Sequence, residues 1–371
     1  MTRLRVGVVG CGEATQIMHL PSLRFLSDLF EVSAVCDVSR RVADRVGEDW
    51  NVPARLVDHR ATVALTEVDA VLVATPDAHH ATVVLDAIAA GKHVLVEKPL
   101  CLTLRELDAI AAAQDRAGVL VQVGYMRRYA PAFLHAVEAL GGVGEIRLAR
   151  VQHVLGLNRL VVAPTSRVVV GDDVPEERLE RGRRLRLSLL AEATGGAAAE
   201  IQEAYSLLLS LGSHDLSAMR ELLGRAHGVL YARTWHEGWY VTAALDYGTF
   251  VCHFAVGFDR IPRVDATIEV FGEHRVVAIR FDASHVRNLP VRTTVTDATD
   301  AGGVDVRTTH PGWGDPFVEE WRAFHRHVTE GTPTKTSPAD FREDLELCRA
   351  LSVAMAADSD RGIGAHSPQR A

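Results

Sequence analysis

The stretch Val6–Thr15, VGVVGCGEAT, constrains this chain most. Val6, Val8 and Val9 read as a buried strand; Gly10 and Gly12 follow at once, and a helical pattern begins behind them. Glycines in that place let the backbone turn sharply and let a pyrophosphate approach the main chain without meeting a Cβ, at the positive end of the helix. The third glycine of the G-x-G-x-x-G fingerprint is replaced by Thr15, so the reading rests on context: strand before, helix after, and an acid closing the next strand.

That acid is Asp37, at the end of EVSAVCD and about 25 positions past Gly12, near the ~20 at which a carboxylate reaches the adenine ribose. Its other reading is a cap for the helix that follows, a role open to Ser39 as well. A carboxylate there repels a 2′-phosphate and favours NAD, whereas Arg40 and Arg41 offer such a phosphate a partner and keep NADP open.

Strand-like and helix-like segments alternate from here on. An edge strand is expected at 54–57 and a central one at 69–75, by its continuous apolar run. Further strands are expected at 93–97 and 119–124. The helices between them are 13–29, with Pro21 marking a break and restart, 78–90, and 103–117, opened by the capping-box pair Thr103 and Glu106. This is the pattern of a parallel sheet covered on both faces. After Gly124 the pattern changes. A helix at 131–140 and a strand at 145–155 lead into a charge-rich helical segment, 175–204, read as a solvated face and broken at Gly195-Gly196. A helix at 200–223 follows. Six segments in series (228–236, 240–247, 249–258, 266–271, 274–281, 291–296) suggest an antiparallel sheet. Helices at 316–330 and 338–357 close the fold before a loose tail. The expected architecture is α/β: an N-terminal Rossmann domain over 1–124, then an α/β domain with an open, mostly antiparallel sheet over 125–358, then the tail 359–371.

A chain of 371 residues with 47% apolar and 24% charged residues suits two ordinary globular cores. The net charge of −8 is spread without a basic face, which argues against nucleic acid. No apolar run reaches membrane-spanning length, and no secretory leader is expected before the first strand. Five cysteines, odd in number and widely spaced, indicate neither a disulfide framework nor a zinc knuckle, so a reduced cytoplasm is the expected setting.

Several segments together resemble the glucose–fructose oxidoreductase / inositol dehydrogenase / rhizopine catabolism (Gfo/Idh/MocA) family: GVVGCGEATQIMHLPSL, VCDVSRR, VATPDAHHATVVLDAIAAGKHVLVEKPL, VGYMRRYAPAF, SLGSHDLSAMRELLG and the final helix pair. Ala74-Thr75-Pro76 with His79, taken with Glu97-Lys98-Pro99, is the specific part. The resemblance covers most of the chain. It implies hydride transfer between NAD (NADP remaining possible) and a hydroxyl-bearing carbon of a sugar, amino sugar, cyclitol or related polyol, in a homodimer or homotetramer. The alternatives are a redox-neutral epimerase or eliminase that retains its NAD, and a dinucleotide-binding regulator without chemistry. The expected cofactor contacts are Gly10, Gly12, Glu13, Ala14, Asp37, Val38, Arg41, Thr75, Pro76, His79, Glu97 and Lys98.

Hydride transfer to or from such a carbon needs a group that takes up or supplies the hydroxyl proton. Lys98 is the first candidate. It follows a buried strand at the carboxyl edge of the sheet, where open α/β folds bind ligands, and an ammonium near a positive nicotinamide has its pKa lowered. The resemblance makes the matching lysine catalytic. His214 is the second. The family places an acid four residues earlier on the same helix face, but this chain has Ser210, whose hydroxyl orients a substrate without holding charge. Asp215 is expected to point about 100° away from His214, into a surface or subdomain contact. Tyr125, Arg127, Arg128 and Tyr129 sit at the domain junction, where the resemblance puts substrate. The two arginines suit either an anionic group or an ion pair between domains. Tyr125, Arg127, Arg128, His153 and His310 complete the expected substrate contacts, with His310 and Trp313 in a loop over the pocket. His79 and His80 are adjacent on a helix and diverge, so no metal site is expected.

Overall fold

The computed structural model describes residues 3–283, 286–289 and 291–360. Of the expected tail, 361–371 lie outside the described residues, while the last helix, Pro338–Asp360, runs past its expected end. The first sheet contains β1 (Leu4–Val9), β2 (Phe30–Cys36), β3 (Ala54–Leu56), β4 (Ala70–Val73), β5 (His93–Glu97) and β6 (Val121–Gly124). All its pairs are parallel, in the order β3-β2-β1-β4-β5-β6. The order reverses between β1 and β4, which opens a crevice at their carboxyl ends.

Val8, Leu72 and Leu95 are buried on these strands, and a core of their kind packs against Trp321 and Phe324 of helix Pro316–Glu330. The C-terminal part of the chain therefore completes the core of the N-terminal sheet. The turn after β1 is forced by sterics. Gly10 has φ +93°, and a Cβ there would lie 2.3 Å from the carbonyl oxygen of Ala74. A Cβ on Gly12 would meet nothing within 4 Å. Gly10 thus serves the approach of one turn to another, and Gly12 faces open space.

The second sheet contains β7 (Ile146–Gly156), β8 (Gly228–Trp235), β9 (Tyr240–Asp246), β10 (Val251–Asp259), β11 (Val264–Gly272), β12 (Arg275–Phe281), β13 (Arg292–Ala298) and β14 (Val304–Thr309). Their order is β14-β13-β12-β11-β7-β10-β9-β8, antiparallel except where β7 meets β10. β14 and the short helix Arg159–Thr165 have no counterpart in the sequence-based expectations.

Pro21 marks a restart without a gap: a π-helical turn, Thr15–His19, gives way to the α-helical segment Leu20–Phe25, with Pro21 in its first turn, where a missing N–H costs little. One further expectation needs correction. The charged helix Glu176–Ala193 is not only a solvated face, because Arg186 reaches inward to Asp77 at 3.2 Å and also donates to the Ser206 hydroxyl. A second π turn, Leu208–Gly212, joins helix Ala199–Leu207 to helix Ser213–Leu223.

Gly10→Ala is predicted to destabilise the chain by roughly 2–5 kcal/mol, from positive-φ strain plus overlap with backbone. Chemical denaturation followed by circular dichroism measures the loss, and Gly12→Ala, which meets nothing, should leave the midpoint nearly unchanged.

Candidate active site

A cavity of about 230 Å³ gathers the chemistry-bearing residues, with Lys98, Glu97, Arg127, His153, Ser210 and His214 in its wall. Met126, Asn158, Phe258 and Phe317 supply apolar and amide surface. Lys98 leaves the end of β5 and donates from Nζ to the carbonyl of Ser210 at 2.5 Å. Ser210 lies in the π turn Leu208–Gly212, a local geometry common at functional sites. The Ser210 hydroxyl turns back to the Leu207 carbonyl at 3.4 Å, while its main-chain carbonyl meets the lysine. Burial pushes the Lys98 ammonium below the ordinary lysine range. Glu97 opposes that shift and Arg127 adds to it.

Glu97 is held from two sides. The Trp321 indole, a donor only, gives its N–H to Nδ1 of His19 at 3.1 Å. That leaves Nε2 of His19 to carry the proton it donates to Glu97 at 2.9 Å. The other carboxylate oxygen accepts the Lys98 backbone N–H at 3.1 Å. Burial acts to raise the Glu97 carboxyl, but the His19 hydrogen bond and nearby cations outweigh it and hold the group below its ordinary range. His80 bridges the carbonyls of Thr75 and Pro99 at 2.6 and 2.7 Å, fixing the turn after Lys98 against the turn after β4.

Arg127, Asp215 and His153 form one buried cluster. Arg127 donates to Asp215 at 2.7 Å, Asp215 accepts from Nδ1 of His153 at 2.6 Å, and Arg127 lies 4.6 Å over the Phe281 ring. Nη2 of Arg127 faces Nε2 of His153 at 3.3 Å. Since guanidinium only donates, that nitrogen accepts and His153 is the Nδ1–H tautomer. Burial pushes the His153 pKa down; Asp215 acts to raise it and Arg127 lowers it further, so the imidazole is held neutral. Asp215 therefore turns into the protein beneath the site.

Three expected substrate contacts lie elsewhere. Tyr125 is fully buried behind the cavity beside Asp344, because the chain dives into the core after β6. Arg128 is consumed by ion pairs with Glu221 at 2.5 Å and with Asp340. His310 is exposed outside the cavity wall, and Trp313 near it is 74% exposed.

A second cleft, of about 610 Å³, lies over the Gly10–Gly12 turn and is lined by Cys11, Gly12, Glu13, Asp37, Ser39 and Val42. Its far wall comes from Arg159, Val162 and the segment 168–171. The Asp37 carboxylate accepts from the backbone N–H groups of Cys11 and Ser39, both at 2.9 Å. Ser39 itself caps helix Arg40–Asp49, accepting from Val42, so the cap does not need Asp37. Ala14 opens into the first cavity, Val38 is 46% exposed, and Arg41 pairs with Asp172 at 2.8 Å. The Thr75 hydroxyl is buried with no hydrogen-bond partner among the described residues. His79 is half-buried in the turn after Pro76, with burial lowering its pKa. An acid poised for hydroxyls, a glycine facing open space and an orphaned hydroxyl at the sheet's switch point together fit a dinucleotide.

No group of three or more His, Cys, Asp or Glu side chains among the described residues is arranged to hold a metal ion. No helix among them is long and apolar enough to cross a membrane.

A parallel sheet of this order, with a glycine turn and a carboxyl-edge acid, followed by a mostly antiparallel sheet, defines a two-domain protein with an NAD-binding type of Rossmann fold. Residues 4–125 match the model of the oxidoreductase family (GFO_IDH_MocA) with an NAD-binding Rossmann fold. Inositol 2-dehydrogenase of Paracoccus denitrificans is 38% identical over 142 residues, 38% of this chain and 42% of that protein. The rhizopine catabolism protein MocA of Rhizobium meliloti is 36% identical over 131 residues, 35% of this chain and 40% of that protein. The matched region thus spans less than half the length of either relative. Among solved structures, the 3-ketoreductase KijD10 of Actinomadura kijaniata, in complex with TDP-benzene and NADP, shares the fold with a TM-score of 0.73 at 21% identity, over 95% of this chain and 98% of that one. An NAD-binding oxidoreductase from Klebsiella pneumoniae gives 0.73 at 21%, over 96% and 97%.

Asp215→Ala is predicted to cost about 3–5 kcal/mol, because it strands the Arg127 guanidinium without its counter-charge. Thermal or denaturant unfolding of the variant measures it; a change within experimental error contradicts the buried-pair reading.

Proposed function

We propose that this chain is an NAD(P)-dependent oxidoreductase transferring a hydride between nicotinamide and a hydroxyl-bearing carbon of a sugar, amino sugar, cyclitol or related polyol. The observation that carries this is the convergence of Lys98 and His214 on one cavity beside the dinucleotide cleft. Residues 1–124 would hold the cofactor and 125–358 the substrate. Bound nicotinamide would supply the hydride acceptor or donor. The chain's own task is then to move the hydroxyl proton and to orient the carbon.

Lys98 is the proton-transfer group in this reading. Burial has already brought its ammonium closer to a useful acidity, and the Ser210 carbonyl holds it in place. His214, at the start of helix Ser213–Leu223, approaches from the opposite domain and orients the substrate hydroxyl. Arg127, Asp215 and His153 act underneath, keeping the cavity floor rigid and dry. Chemistry on a neutral polyol suits a site whose nearby charges are already paired with one another. Five buried thiols suit a reducing cytoplasm. An outer sheet face carrying exposed Arg150, Gln152 and His253 suits contact with further copies of the chain.

The test is a panel of polyols, cyclitols and their ketones with NAD(H) and NADP(H). Wild type is expected to change cofactor absorbance with at least one of them, while Lys98→Met loses about 10²–10⁴-fold in kcat and still binds cofactor. Undiminished turnover in Lys98→Met contradicts the proposal. The pH profile has a definite sign. Oxidation needs Lys98 uncharged, so kcat/KM rises with pH and levels off above a pKa that burial holds below the ordinary 10.5. Reduction needs it charged, so the rate falls over the same interval.

A further inference from the structure

The far wall of the dinucleotide cleft is a strap, residues 166–174, which links helix Arg159–Thr165 to helix Glu176–Ala193. The strap is pinned at two points. The Gln16 side-chain amide makes a two-way pair with the Val169 backbone, donating to its carbonyl at 2.9 Å and accepting its N–H at 2.8 Å. Further along, Asp173 accepts from the Ser39 hydroxyl and, at 3.0 Å, from the backbone N–H of Arg41. Asp172 beside it takes the Arg41 guanidinium through both carboxylate oxygens, at 2.8 and 2.9 Å.

Those partners are the groups that a phosphate on the adenine ribose would use. They follow directly on Asp37, the acid placed for the ribose hydroxyls, and comprise a hydroxyl, a first-turn helix N–H and a guanidinium. An anion is already bound there, and it belongs to the chain. Arg40, the other cation of this turn, is directed to the Arg55 carbonyl at 3.1 Å and to Asp44 at 3.6 Å. The Ser39 hydroxyl bond and the Arg41 N–H also hold Asp173 below its ordinary range, so it stays an anion. Room for the strap is tight: a Cβ on Gly171 would lie 2.3 Å from the Ser39 hydroxyl oxygen.

We propose that Asp172 and Asp173 of the strap determine cofactor choice, occupying the 2′-phosphate position so that NAD binds under a closed strap while NADP must displace it. The inference rests on the dinucleotide reading of the cleft given above. With NAD the two carboxylates keep their partners and Asp37 takes the ribose hydroxyls. With NADP two anions compete for one set of donors, and Asp37 adds repulsion.

The experiment measures binding of NADH and NADPH by calorimetry to wild type, to the double variant Asp172→Ala/Asp173→Ala and to Gly171→Ala, whose added methyl lifts the strap from Ser39. Wild type is expected to favour NADH. Both variants should shift the NADH:NADPH ratio of Kd values toward NADPH by on the order of tenfold, chiefly through tighter NADPH binding to the freed charge-assisted donors. Trypsin gives a second readout at Arg167, exposed on the strap: NADH should protect this bond in wild type and NADPH should not. Equal or tighter NADPH binding by wild type, or ratios unchanged within threefold in both variants, overturns the inference and leaves the dinucleotide reading intact. Wild type that binds neither cofactor overturns that reading instead.

Discussion

A single buried charge cluster holds the site's two halves in register. Arg127 comes from the turn after β6, Asp215 from helix Ser213–Leu223 and His153 from β7, so three elements from both sides of the sheet boundary meet in one set of hydrogen bonds. A buried charge pair gains little over an apolar one of the same shape, but it tolerates only one geometry. Here that geometry decides where the neighbouring residue, His214, faces and how far it stands from the end of β5. If the cluster shifts, Lys98 and His214 no longer share a cavity.

The other end of Lys98 is set by a longer chain of contacts. Trp321, His19, Glu97 and the Lys98 main chain form an unbroken path of hydrogen bonds from helix Pro316–Glu330 to the turn that carries the lysine. Trp321 is fully buried and stands edge-on to His19, Phe30 and Phe324. The donor-only indole fixes the His19 tautomer, and the tautomer fixes which way Glu97 is held. A residue some two hundred positions away in sequence thereby controls the electrostatics beside Lys98, and folding of the first sheet becomes dependent on the last helices.

Much of this arrangement was legible in the sequence. Continuous apolar runs ended by Gly10, Thr75 and Glu97 marked the parallel strands, because strands covered on both faces carry no polar alternation. Lys98 and His214 were recognisable from local motifs, and they line one cavity. Other features left no local signal. The π turns at Thr15–His19 and Leu208–Gly212 differ from α-helix by one residue per turn, which periodicity does not register. β14 is exposed along nearly all its length and, among the described residues, pairs only with β13, so it lacks an apolar pattern. Arg127 and Arg128 are chemically identical neighbours; only the fold sends one to Asp215 and the other to Glu221 and Asp340. Asp172 and Asp173 meet partners more than a hundred positions away, a relation no spacing rule contains.

The proposed function requires direct passage of a hydride between cofactor and a carbon held by Lys98 and His214. Single-turnover label transfer measures this most directly: wild type is loaded with reduced cofactor deuterated at nicotinamide C4 and mixed with ketones of sugars and cyclitols. The predicted result is deuterium on the former carbonyl carbon, from one face of the cofactor only. Product whose new hydrogen comes from solvent, or cofactor that keeps its label through turnover, would contradict it.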